Sequence, residues 1–121
     1  MTDWTTEVRD RLAAERAATN ARIKALSRDF QAIVEANALV AVDDEHDPEG
    51  SSTAFERAHV ASLLKQAEAH LDTLDDALTR LAEGTYGHCE QCGRPIPPER
   101  LAIRPAATMC VGCAEGARRR R

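Results

Sequence analysis

Residues 89–113 read CEQCGRPIPPERLAIRPAATMCVGC, two Cys-x-x-Cys pairs separated by seventeen residues. One turn suffices to aim both sulfurs of such a pair at a common point, and two pairs complete a tetrahedron with zinc–sulfur distances of about 2.3 Å. Cys89, Cys92, Cys110 and Cys113 are therefore the expected ligands of one zinc ion. Four thiolates close the coordination shell, whereas a catalytic zinc keeps one position for water, so the expected role is structural. A redox dithiol instead calls for a single Cys-x-x-Cys at a strand-to-helix turn, a pattern this chain lacks. Gly93 and Gly112 suit the tight backbone, and Arg94, Arg100 and Arg104 lie near enough in sequence to offset the charge of the thiolates. His88 precedes the first ligand and is read as a packing or exposed residue.

Between Gly84 and Cys113 fall four of the chain's five prolines, which rules out a continuous helix there. The apolar residues of this stretch are few, chiefly Ile96, Leu101, Ile103, Met109 and Val111. A module of about thirty residues with so little to bury needs a staple, and the metal supplies it. Beyond Cys113 a short helical stretch is expected before Arg118 to Arg121, read as a solvated basic tail. Upstream, Val60, Leu64, Ala67, Leu71, Leu74, Leu78 and Leu81 recur at alternating steps of three and four, a coiled-coil seam. Its helix is expected to start at Ser52 or Thr53 and to stop before Gly84. A first seam runs through Ile23, Leu26, Phe30, Ile33, Asn37 and Val40, in a stretch from Trp4 to Val42 free of Pro and Gly. Alanines at 13, 14, 17, 18, 21 and 25 permit close helix approach. Pro48 and Gly50 break the intervening segment, and two apolar stripes so joined should pair as an antiparallel hairpin with arms of roughly 45 to 60 Å. The expected fold is mainly α: a long antiparallel coiled-coil hairpin over 1–83 with an acidic tip at 43–52, then a four-cysteine zinc finger with a basic tail over 84–121. The same heptads also suit an intermolecular coiled coil, which the mid-length breaker disfavours.

The 121 residues are 3% aromatic and 30% charged, with a net charge of -4, so a large globular core and a wholly basic nucleic-acid coat are both excluded. No apolar run approaches the roughly 20 residues of a membrane span, and Met1 to Asp10 has no secretory pattern, so a cytoplasmic location is expected. Ser27, Ser51, Ser52 and Ser62 stand in no nucleophile motif and no glycine-rich phosphate loop is present, which argues against an enzyme. His59 and His70 have no ligand partner at helical spacing.

Cys89 followed by Glu90, then Cys92, Ile96, Arg100, Pro105, Cys110 and Cys113, together resemble the signature of the DksA/TraR family of zinc-finger proteins. The stretches Gly87-His88-Cys89-Glu90-Gln91-Cys92-Gly93 and Arg100-Leu101-Ala102-Ile103-Arg104-Pro105 carry the resemblance beyond cysteine spacing. It implies a transcription regulator, not an enzyme, that binds RNA polymerase directly and not DNA, with a coiled coil entering the secondary channel and an acidic tip acting near the catalytic centre. Asp43, Asp44, Glu45, Asp47 and Glu49 crowd carboxylates onto the expected turn, with Asp43, Asp44, Asp47 and Glu49 the tip candidates. Better-known members carry two aspartates separated by two residues and followed shortly by alanine, whereas this chain has Asp44-Glu45-His46-Asp47 and then Pro48-Glu49-Gly50. Members that act with ppGpp use basic residues on the second helix and just past the last cysteine. Arg104 resembles one of these, but Ala114 follows Cys113 and Lys65 is the second helix's only lysine, which leaves nucleotide synergy open. A monomer without membrane contact is expected. The alternatives are a zinc ribbon contacting nucleic acid through Arg94, Arg100, Arg104 and the terminal arginines, and a structural adaptor pairing with another coiled coil.

Overall fold

The computed structural model describes the backbone of residues 2–40 and 48–120. Four helices are present among them: α1 Thr2–Val40, α2 Pro48–Glu83, α3 Pro98–Ile103 and α4 Val111–Arg119. The two long helices follow from continuous runs of good helix formers without an internal proline. The second helix starts at Pro48, ahead of the Ser52 or Thr53 cap expected from sequence. Proline's fixed φ and missing N–H suit a first helical position, so Pro48 opens the helix instead of breaking it. Gly50 is absorbed in the first turn at a cost of about 1 kcal/mol relative to alanine. Residues 48–52 thus belong to α2.

At its other end α2 stops as expected, because Gly84 takes the left-handed conformation with φ +83°. The Thr85 N–H donates to the Arg80 carbonyl at 2.9 Å and the Gly84 N–H to Leu81 at 3.4 Å, a Schellman arrangement that satisfies the last carbonyls.

The chain divides into two compact units, one formed by Met1–Arg16 with Asp72–Arg121 and the other by Ala17–Leu71. In the first, the beginning of α1 packs on the end of α2, which makes the pair antiparallel. Leu12, Leu74, Ala77 and Tyr86 form its buried core, with Val8, Leu78, Leu81, Leu101 and Ala106 packed against them. Arg16 pairs with Asp75 across the two helices. In the second unit Leu26, Ala67 and Thr19 are buried, and Ile23, Phe30, Ile33, Asn37, Val60, Leu64 and Leu71 are half-buried at the expected seam positions. The α1 stripe extends further towards the N-terminus than the sequence seam, through Thr19, Leu12 and Val8.

Candidate metal centre

Two different local structures present the cysteines. The first pair sits in a backbone knuckle: His88 and Pro95 form an isolated antiparallel bridge, the Ile96 N–H donates to Gly87 at 2.7 Å and the Cys89 N–H to Arg94 at 2.8 Å. The turn closes through Gly93, whose N–H donates to the Cys89 carbonyl at 2.9 Å and whose φ of +78° is one that only glycine takes without strain. The second pair opens a helix. Cys110 is the N-cap of α4 and Cys113 lies in its first turn, with the Ala114 N–H donating to the Cys110 carbonyl at 2.9 Å. The expected post-Cys113 helix therefore begins earlier, at Val111, because helical spacing puts both sulfurs on one side of the turn. Gly112 accordingly lies in ordinary helix and needs no special φ. The Glu90 N–H donates to Thr108 at 2.8 Å and ties the two halves together.

These elements bring Cys89, Cys92, Cys110 and Cys113 together with all four sulfurs within 4.8 Å of one another, and the Cys92 and Cys110 sulfurs 3.9 Å apart. A tetrahedron with arms of about 2.3 Å separates its sulfurs by about 3.8 Å, so the cluster fits a metal ion of that size. Cys89 is buried, Cys92 exposed, and Cys110 and Cys113 are intermediate. The backbone N–H of Cys110, then that of Cys92, points at the Cys89 sulfur and holds its pKa down to about 6. Hydrogen bonding to the Cys110 and Cys89 sulfurs pushes Cys113 up to about 12. Four crowded thiolates without a cation repel one another, and a bound divalent ion relieves that repulsion.

The surrounding residues hold the cluster against the hairpin base. The buried Tyr86 hydroxyl donates to the Pro105 carbonyl at 2.6 Å, and burial pushes its pKa up while Arg11 and Arg80 pull it down. Arg100, expected as a charge-offsetting residue, is half-buried and donates from Nε to the Met109 carbonyl at 2.8 Å. Arg104 is exposed and caps α3, its N–H donating to the Arg100 carbonyl at 2.7 Å. Of the finger's expected apolar residues Ile96 is buried and Leu101 half-buried, but Ile103 and Val111 face solvent. His88 is exposed, as are His59 and His70. Asp43, Asp44, Glu45 and Asp47 lie outside the described residues; Glu49 falls in the first turn of α2, with its side chain likewise outside them. Neither spacing nor periodicity marks Tyr86 or Arg11, whose partners lie 19 and 91 residues away along the chain.

A four-cysteine metal finger set on the base of an antiparallel helical hairpin is the class of protein that this fold and site define. Residues 84–119 match the family model of the prokaryotic dksA/traR C4-type zinc finger. The RNA polymerase-binding transcription factor DksA of Caulobacter vibrioides is 46% identical over 50 residues, covering 41% of this chain and 35% of that protein. General stress protein 16O of Bacillus subtilis is 46% identical over 41 residues, covering 34% of this chain and 25% of that protein. The chain thus spans about a third or less of the length of these curated relatives. The solved structure of transcription factor DksA2 from Pseudomonas aeruginosa superposes with a TM-score of 0.78 at 30% identity, covering 96% of this chain and 84% of that one. The chain belongs to the DksA/TraR family. Both DksA relatives are named as transcription factors rather than enzymes. No helix among the described residues is long and apolar enough to cross a membrane.

Proposed function

We propose that this chain is a cytoplasmic, non-catalytic transcription regulator that binds RNA polymerase directly and inserts the acidic-tipped end of its hairpin into the secondary channel. Residues 1–83 form the probe, and residues 84–121 form the finger and its basic tail. Cys89, Cys92, Cys110 and Cys113 hold one structural zinc ion, and the protein acts as a monomer. One observation carries this reading: the likeness to DksA2 extends over 96% of the chain, hairpin as well as finger. The Caulobacter relative, named for polymerase binding, supports the choice of partner. Asp43, Asp44, Asp47 and Glu49 are the carboxylates delivered at the tip, where negative charge acts on the bound Mg²⁺ and its basic surroundings.

The test is co-purification with core polymerase together with promoter-specific transcription by the purified enzyme. Zinc-loaded protein should bind and alter transcript yield. The triple variant Asp43→Asn, Asp44→Asn, Asp47→Asn should lose most of the transcriptional effect while retaining helical content and much of the binding. Absence of binding in micromolar excess refutes the polymerase reading, and full activity of the triple variant refutes the role of the tip.

A further inference from the structure

A groove of about 700 Å³ opens on the unit that carries the finger, between the first turns of α1, the end of α2 and the α3 segment. Its walls include Trp4, Val8, Leu81, Tyr86, Ile96 and Leu101, and none of the four cysteines lines it. Trp4 is the chain's single tryptophan, yet it is 53% exposed. One part of its ring meets Tyr86 in a tilted contact, with centroids 6.0 Å apart and an interplanar angle of 56°, and the exposed part offers a surface on which another ring gains. The volume lies in the range of sites for single small molecules, about 300–1,000 Å³.

Two oppositely charged side chains line the groove, Arg11 and Glu7. Arg11 lines it and spends one donor, Nη2, on the Ala102 carbonyl at 2.5 Å, which leaves most of its guanidinium free of that bond. Arg80 lies near enough to Tyr86 to act on its hydroxyl, as Arg11 does. The three Arg80 guanidinium nitrogens are buried and meet no hydrogen-bond acceptor among the described residues. Arg80 is not itself part of the lining, so Arg11 is the guanidinium within reach of a molecule in the groove.

We propose that this groove binds a small aromatic anion, its ring system against Trp4, Leu81 and Leu101 and its anionic group at Arg11. An apolar body supplies the burial, and the guanidinium supplies a charge-assisted hydrogen bond that discriminates for the anion.

The test uses the zinc-loaded full chain and two probes of similar shape, 1-anilinonaphthalene-8-sulfonate and its uncharged analogue N-phenyl-1-naphthylamine. The sulfonate should bind one to one in the micromolar range, quench Trp4 fluorescence, and shift backbone amide resonances within residues 4–11, 81–88 and 96–105. Arg11→Gln should weaken the sulfonate about tenfold and the uncharged probe less than twofold. Ala102→Phe, placed at an exposed position of the lining, should block both probes without loss of helical signal. Shifts scattered over both units, equal loss of the two probes on Arg11→Gln, or no binding of the sulfonate up to millimolar concentration would each overturn the proposal.

Discussion

At the scale of single residues, the four sulfurs are chemically unequal although the motif is symmetric on paper. Cys89 is aimed at by backbone N–H groups and is ionised at neutral pH, whereas Cys113 is pressed by neighbouring sulfurs and keeps its proton. Metal binding needs all four as thiolates, so at pH 7 it must expel at least the Cys113 proton, and below about 6 it must expel the Cys89 proton as well. Affinity should therefore fall as pH falls, by at least about tenfold per pH unit near 7 and more steeply below 6. Chelator competition between pH 5 and 8, with proton release read by calorimetry in buffers of different ionisation enthalpy, checks this; a flat affinity from pH 8 to 5 contradicts it. Cysteine spacing marked in advance the four sulfurs that the fold brings together. The inequality was not readable, because it depends on which N–H groups the fold points at which sulfur.

At the scale of elements, heptad spacing marked the buried face of α2 well: Ala67 and Leu74 are buried where the seam requires. It was less complete for α1, since Leu12, fully buried, stands in an alanine-rich stretch with few apolar neighbours to mark the repeat. Thr19 is buried on the same helix despite its hydroxyl, a position that an apolar template does not mark. The core and the surface ion pair should differ in worth. Leu74→Ala removes a fully buried side chain and should cost about 2–5 kcal/mol. Asp75→Asn breaks the pair with Arg16, in which the two side chains are 41% and 43% exposed, and should cost far less than Leu74→Ala because solvent screens the pair. Urea unfolding of the zinc-loaded protein checks both, and comparable losses would show that the hairpin base is not held by its apolar core. Pro48 teaches the opposite lesson to a simple breaker rule, since what terminates a helix from within opens one from its first position.

At the scale of the molecule, the finger and the hairpin base share one core. Tyr86 and Leu101 pack with Leu12 of α1 and Leu74 and Ala77 of α2, while Arg11 holds the Ala102 carbonyl. Loss of the metal removes the staple of a module with few buried apolar residues, so its effect should spread to α1 through these contacts. On chelation, amide hydrogen exchange over residues 4–16 should rise at least about tenfold, while residues 23–33 in the other unit change far less. Equal protection of residues 4–16 with and without zinc would separate the finger from the helices.

Spacing along the chain settled the helical hairpin, the stop at Gly84 and which four cysteines cluster, because a heptad, a left-handed glycine and a Cys-x-x-Cys turn are each decided within a few residues. Tertiary structure alone decided that α1's first turns join the finger, that Tyr86 and Arg11 are its anchors, and that a groove lined by Trp4 and Arg11 lies beside it. Those contacts join residues as many as 91 positions apart. Only packing determines which distant side chains meet, because local sequence carries no record of a partner that far away.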